Sequence, residues 1–138
     1  SIVDIAMQGQ AKDPADTITP VSQAPDLTSF LEKEFPDNEE ALDDHILKLE
    51  NLNELQEQLQ EIEEKIKDLK LKKKQKTKQL KLLKGKEKRY AEQGKPLEET
   101  HKQKFKDFLR IRKSHVKEIK KLQNDKKDIH SNMYDLIK

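Results

Sequence analysis

The stretch "EQGKPLEE", residues 92–99, separates two long periodic segments of this chain. Gly94 suits the left-handed residue just past the end of a helix, and Pro96 pushes Lys95 out of the helical region. Pro96 also suits the first turn of a new helix, whose dipole is favoured by the two glutamates that follow. Because a connection this short makes its two helices antiparallel neighbours, the sequence predicts a helical hairpin.

The residues before this turn predict one long helix over about 38–92. Asp37 or Asn38 is suited to cap its N-terminus. Its apolar residues alternate steps of four and three, which is the spacing of a coiled-coil seam. The same register places Lys73 and Lys76 in the seam, so the seam is apolar at both ends and polar in its middle. The apolar seam residues include Leu55, Leu59, Ile62, Ile66, Leu69, Leu80 and Leu83.

The residues after the turn predict a second helix over about 97–137. Together with a turn at about 93–96, the two helices predict an all-α fold in which residues 37–138 form a long antiparallel coiled-coil hairpin. Folding the chain at the turn pairs residues whose numbers sum to about 190. The predicted neighbours are Leu80 and Leu83 with Phe108 and Leu109, Leu59 and Ile62 with Ile129 and Met133, Lys73 with Glu118, and Lys76 with Ser114 and His115.

The N-terminal residues predict a different organisation. Residues 1–25 contain three Pro and one Gly without sustained periodicity, which indicates a flexible or largely extended tail. Residues 26–36 predict a short amphipathic helix that ends at Pro36. This helix either folds onto the hairpin or serves as a docking segment for another protein. Its apolar face consists of Leu27, Phe30, Leu31 and Phe35.

The first long helix overhangs the second, because residue 138 pairs with about residue 52. Leu42, Ile46 and Leu49 on this overhang therefore need a partner from elsewhere: the short helix, residues beyond 138, or another chain. We expect other protein subunits as partners, since an isolated two-helix hairpin buries little surface. The predicted protein-docking residues are Leu27, Phe30, Leu31, Phe35, Leu42, Ile46 and Leu49.

The composition and the absence of known motifs argue against catalysis and against cofactor or metal binding by this chain. Charged residues make up 41% of it and aromatic residues 4%, which is typical of long helices with a narrow seam. We expect no enzyme activity, no cofactor, no metal site and no small-molecule substrate. The three Gly form no phosphate loop, the absence of Cys removes Cys-based zinc sites, and no run of about 18 apolar residues predicts a membrane span. We expect four scattered surface histidines: His45, His101, His115 and His130.

The net charge of +2 conceals a strong asymmetry. Residues 1–66 carry four Lys and seventeen Asp or Glu, a net charge of −13, and residues 67–138 carry +15. Residues 67–89 alone hold twelve basic and two acidic side chains, with the lysines predicted to project around the whole helix. They form either an ordinary solvated coiled-coil surface or an anion-binding one. The predicted anion or nucleic-acid contacts are Lys70, Lys72, Lys74, Lys78, Lys81, Lys113 and Lys117.

These features predict a non-catalytic coiled-coil scaffold or interaction subunit of a larger assembly. Its basic hairpin tip would contact nucleic acid or an acidic protein surface, in a nuclear, chromatin-type complex. The alternative is a cytosolic coiled-coil adaptor or small-GTPase-effector module that binds acidic proteins or anionic membrane. Salt-dependent binding to duplex DNA distinguishes the first from the second.

Overall fold

The computed structural model describes residues 22–138, and all regular secondary structure in that range is helical. Helix α1 spans Thr28–Leu31, α2 spans Glu39–Glu92 and α3 spans Glu99–Ile137. The two long helices pack against each other as an antiparallel coiled-coil hairpin, which confirms the predicted fold class. The predicted tail over residues 1–25 lies almost entirely outside the described residues.

Helix α2 begins and ends with specific capping contacts. The Asn38 side-chain oxygen accepts hydrogen bonds from the backbone N–H groups of Glu40 and Ala41, at 2.9 and 3.2 Å. Asn38 rather than Asp37 is therefore the N-cap.

At the other end of α2, Gly94 has φ +69°. Its N–H donates to the Ala91 carbonyl at 3.0 Å, and the N–H of Lys95 donates to the Tyr90 carbonyl at 2.9 Å. This pair of bonds is the Schellman motif, and it satisfies carbonyls that the end of the helix leaves free.

The second long helix begins two residues later than the sequence predicts. The backbone N–H groups of His101 and Lys102 both donate to the Glu98 carbonyl, at 3.0 and 3.1 Å, so Glu98 is the residue that starts the helical bonding. Pro96 therefore precedes the helix instead of occupying its first turn. The physical reason is Leu97, which is buried beside the turn and sets the path of the chain before the helix begins.

The chain divides into two compact units. The turn unit comprises Ile66–Lys121, and the described part of the terminal unit comprises residues 22–65 and 122–138. In the turn unit, the core contains Leu80, Leu83 and Phe105, with Phe108 and Leu109 packed against them, as the pairing rule predicts.

The terminal unit has its own core, in which α1 folds back onto the long helices. Phe30 of α1 is buried with Leu52, Ile129 and Met133. Leu59 and Ile62 pack against this cluster, which confirms the predicted pairing with Ile129 and Met133. Of the alternatives for the short helix, the structure thus shows folding onto the hairpin.

Helix α1 is shorter than the range 26–36 that the sequence predicts. Its start is held by Asp26, whose carboxylate accepts bonds from the Thr28 N–H at 3.0 Å and the Thr28 hydroxyl at 2.6 Å. These two bonds, the hydroxyl first, lower the pKa of Asp26. The four-residue helix is sufficient to bring Phe30 into the core.

Candidate functional site

The register of the turn unit sorts its lysines onto two flanks. Along α2, Ile66, Leu69, Lys73, Leu80 and Leu83 are buried, as the four-three spacing of a seam requires. At about 100° per residue, each residue that follows a seam position lies on one flank of the helix, and each residue that precedes one lies on the other flank. The same rule applies to α3, whose seam includes the buried residues at 105, 112 and 119.

The following residues of both helices lie on the same side of the hairpin. Two antiparallel helices are related by a two-fold axis normal to the plane that contains both helix axes. Rotation about this axis exchanges the helices, but a flank that lies above the plane on one helix also lies above it on the other. Contacts at the seam agree with this register: the Thr77 hydroxyl, on the following flank of α2, accepts a bond from Arg112 Nε at 2.8 Å. On the preceding flank, Lys86 Nζ lies 2.7 Å from His101 Nε2.

One side of the turn unit is therefore rich in lysine and holds no carboxylate at its positions from 67 to 88 and from 102 to 120. Glu99, just before the second range, forms an ion pair of 3.9 Å with Lys102. On α2, six of the seven following positions from 67 to 88 are Lys, and on α3 four of the six from 102 to 120 are Lys. The remaining positions hold Thr77, Leu109 and Val116. We call this side the basic face, and its lysines are Lys67, Lys70, Lys74, Lys81, Lys84, Lys88, Lys102, Lys106, Lys113 and Lys120.

The other side of the turn unit, the mixed face, carries both signs of charge. Asp68, Asp107 and Glu118 occupy preceding positions there, together with five cations. Lys72 Nζ lies 3.0 Å from the carboxylate of Asp68. The five cations are Lys72, Lys86, Arg89, Lys104 and Lys121.

The lysines of α2 lie on every side of the helix, as the sequence predicts, but the register concentrates them on one flank. Of the seven predicted anion contacts, four lie on the basic face: Lys70, Lys74, Lys81 and Lys113. Lys78 and Lys117 point away from the seam, between the two faces, and Lys72 lies on the mixed face. All seven side chains are exposed.

Two cations are buried within the seam itself. Lys73 is 5% exposed and Arg112 is 6% exposed. The Thr77 hydroxyl joins the two helices here, because it accepts from Arg112 and donates to the Lys73 carbonyl at 3.0 Å. The predicted polar layer is thus present, and it also includes Arg112, which a search for apolar seam residues does not find.

The other seam lysine, Lys76, has its ammonium 4.7 Å from the centre of the Phe108 ring. The pairing rule had placed it near Ser114 and His115. A cation over an aromatic face is held by the ring quadrupole while its aliphatic stem lines the seam.

A polar cluster joins the two sides of the turn. Lys86 Nζ can only donate, so His101 Nε2 accepts, and His101 Nδ1 then carries the proton that faces Glu98 at 3.6 Å. The Tyr90 hydroxyl donates to Glu98 at 3.3 Å. Desolvation and then the Glu98 carboxylate raise the pKa of Tyr90. These contacts link the end of α2 to the start of α3, and no spacing motif in the sequence indicates them.

The seven predicted protein-docking residues fall into three groups by burial. Leu27, Phe30 and Leu49 belong to the core of the terminal unit, so they are not available to another protein while α1 stays folded back. Leu42 is half-buried. The remaining three are exposed by 60%, 66% and 39%: Leu31, Phe35 and Ile46.

One buried histidine contradicts the expectation of four scattered surface histidines. His130 is 3% exposed, and its Nδ1 lies 2.6 Å from the Ser22 hydroxyl. Burial and then the Lys126 ammonium lower the pKa of His130, against opposing effects of Glu63 and Ser22. Lys126 also forms an ion pair of 3.2 Å with Glu63 across the two helices. A clue in the sequence was that residue 130 directly follows the seam residue Ile129.

Within residues 22–138, no three His, Asp or Glu side chains gather as metal ligands would, and no helix has the length and hydropathy to cross a bilayer. No protein-family model, curated protein or solved structure matches this chain.

Proposed function

We propose that this chain is a non-catalytic coiled-coil interaction subunit of a larger assembly and that its turn unit binds a polyanion. The observation that carries this proposal is the basic face, with ten lysines and no carboxylate at its own positions. An ordinary solvated coiled coil intersperses both signs of charge, because oppositely charged neighbours support a helix and like charges weaken it.

The partner we favour is a nucleic acid in a nuclear, chromatin-type complex. Phosphate backbones are neutralised by Lys side chains, and the release of condensed counterions drives such binding. An acidic protein surface offers the same sign of charge, so it is the first competitor to be tested.

A second candidate function is a cytosolic coiled-coil adaptor or small-GTPase-effector module that binds acidic proteins or anionic membrane. The observation that favours it is the exposure of two apolar side chains in the basic region, Leu71 by 56% and Leu82 by 73%. Apolar residues among lysines are suited to anionic lipid surfaces and to protein interfaces.

The terminal unit would supply the contact with other subunits. Leu31, Phe35 and Leu47 are exposed there, near the acidic start of α2. We propose that this apolar and acidic surface docks a protein partner, which is the scaffold part of the function.

The test measures the affinity of the whole chain for a fluorescent DNA duplex across a series of salt concentrations. The proposal predicts an affinity that falls steeply as salt rises, because each neutralised phosphate releases a counterion. Parallel titrations use a polyglutamate peptide and vesicles that contain phosphatidylserine. Tighter binding to the peptide or vesicles than to the duplex would favour the second candidate function, and no binding to any of the three would refute the polyanion site.

A further inference from the structure

We propose that the basic face alone, rather than the whole basic surface of the turn unit, binds the phosphate backbone of a nucleic-acid duplex. This inference rests on the proposed polyanion binding and names its surface and its partner. On this proposal the mixed face does not contact the duplex, although that face also carries five cations.

The distribution of carboxylates separates the two faces. On the mixed face, Asp68 neutralises Lys72 at 3.0 Å, and Asp107 and Glu118 add two further negative charges among five cations. A phosphate that approaches this face meets repulsion as well as attraction. On the basic face, ten lysines would meet the phosphate, and the one carboxylate shown paired with them is Glu99, which lies 3.9 Å from Lys102 at the end of the face nearest the turn.

The shape of the basic face suits a rigid partner. The lysines of α2 run from Lys67 to Lys88, which is about 32 Å along a helix at 1.5 Å per residue. A second row on α3 begins at Lys102 and ends at Lys120, on the same side. Two rows held on helices need little ordering to meet a stiff duplex, whereas a flexible acidic peptide loses conformational entropy on binding.

The aromatic residues of the turn unit favour a duplex over a single strand. Phe105 is buried, Phe108 lies half-buried under Lys76, and Tyr90 contacts His101 and Glu98 at the turn. None of these three rings is free to stack on an unpaired base, and stacking is what single-strand binding uses. Contacts limited to phosphates also imply little preference for base sequence.

Two triple variants with equal charge test the inference. The basic-face variant combines Lys74→Gln, Lys106→Gln and Lys120→Gln. The mixed-face variant combines Lys72→Gln, Lys104→Gln and Lys121→Gln, whose sites are exposed and lie one or two residues away on the same helices. Fluorescence anisotropy measures the affinity of each whole chain for a duplex of about 20 base pairs, roughly twice the length of the face at 3.4 Å per pair.

We expect the basic-face variant to bind about tenfold or more weakly at about 0.1 M salt, and the mixed-face variant to stay within about twofold of the wild type. Circular dichroism checks that both variants keep the wild-type helicity. A charge-preserving variant with Arg at positions 74, 106 and 120 should retain binding, and this separates loss of charge from loss of fold.

Each contrary outcome identifies what fails. Equal weakening by the two triple variants would refute the one-sided face but leave polyanion binding intact. Loss of binding in the Arg variant would also refute the face, because it keeps the charge. Tighter binding of the wild type to polyglutamate than to the duplex would refute the duplex as partner. A wild type that binds neither of these, nor anionic vesicles, would refute the proposed function itself.

Discussion

At the scale of single residues, a side chain would have opposite effects on stability at the two glycines of the helices and turn. Gly85 lies in the interior of α2, and a Cβ added there meets nothing within 4 Å. Gly94 has φ +69°, a conformation that L side chains rarely adopt. The first glycine therefore weakens the helix without serving it, while the second is required by the Schellman turn.

This contrast predicts opposite effects of one substitution. Gly85→Ala should raise the free energy of unfolding by up to about 1 kcal/mol, since Ala is the better helix former. Gly94→Ala should lower it by about 1–2 kcal/mol, because the left-handed conformation strains any Cβ. Urea unfolding followed by circular dichroism measures both. A stabilising Gly94→Ala would show that the turn does not have the geometry described.

The buried His130 predicts a dependence of stability on pH. Its pKa is lower in the folded chain than its ordinary value of 6.5, so the unfolded chain binds the proton more readily. The stability that depends on neutral His130 is therefore complete above pH 6.5 and is lost as the pH falls toward the folded-state pKa. Ser22, Lys126 and Glu63 are the polar groups that act on it.

The measurement compares urea unfolding of the wild type and His130→Asn at several pH values on either side of 6.5. Asn offers an oxygen near the position of Nδ1 to the Ser22 hydroxyl but does not titrate in this range. The variant should lose the part of the acid-induced destabilisation that His130 causes. Identical pH dependence in the two proteins would contradict a lowered pKa at His130.

At the scale of the helix, the lysines of α2 repel one another. Lys70, Lys74, Lys78 and Lys81 follow at steps of four, four and three residues, with no carboxylate at a neighbouring step. Like-charged pairs at these spacings destabilise a helix by about 0.2–0.5 kcal/mol each. Such an arrangement costs stability in the free chain, which an anionic partner would offset.

Replacing these four lysines by Gln should therefore stabilise the free chain by about 0.5–1.5 kcal/mol at low salt, since Gln keeps the helix propensity near that of Lys. Thermal unfolding measures the change, and added salt should shrink the difference by screening the repulsion. As a control, Lys72→Gln should not stabilise the chain, because this substitution removes the ion pair between Lys72 and Asp68. A destabilised fourfold variant would contradict repulsion along this row.

The helices also show which features of the fold can be predicted from apolar periodicity alone. The seam spacing and the short turn were sufficient to predict the hairpin and the pairing of Leu80 with Phe108, because both follow from helical geometry. The start of α3 was predicted too early, since the preference of Pro96 for a first turn competes with the burial of Leu97. Local sequence preferences predict that a helix exists more reliably than they predict its exact first or last residue.

The candidate site was only partly predictable for a different reason. The lysines were evident in the sequence, but their division into two faces requires knowledge of the seams of both helices. The seam of α3 is hard to recognise from apolar spacing, because one of its buried residues, Arg112, is polar. The contact between Ser22 and His130 joins residues 108 positions apart, and no periodic pattern reports such a pair. Phe30 is buried in this chain, so the prediction that it docks another protein requires α1 to leave the hairpin first.

At the scale of the whole molecule, the two units differ in the charge that surrounds their exposed apolar side chains. The terminal unit carries the exposed Leu31, Phe35 and Leu47 among acidic residues, and the turn unit carries the basic face. This division suits a subunit that would hold a protein partner with one unit and a polyanion with the other. The two binding activities should then be separable by mutation, because no residue is shared between them.

The salt dependence of duplex binding tests the central claim most directly. For the wild type and the two triple variants, the logarithm of the binding constant is plotted against the logarithm of salt concentration. Each phosphate contact contributes about 0.9 to the slope. If the basic face makes the contacts, the variant Lys74→Gln, Lys106→Gln, Lys120→Gln should have a slope shallower by about 2.7, and the mixed-face variant should keep the wild-type slope. Equal slopes in all three proteins would contradict the claim.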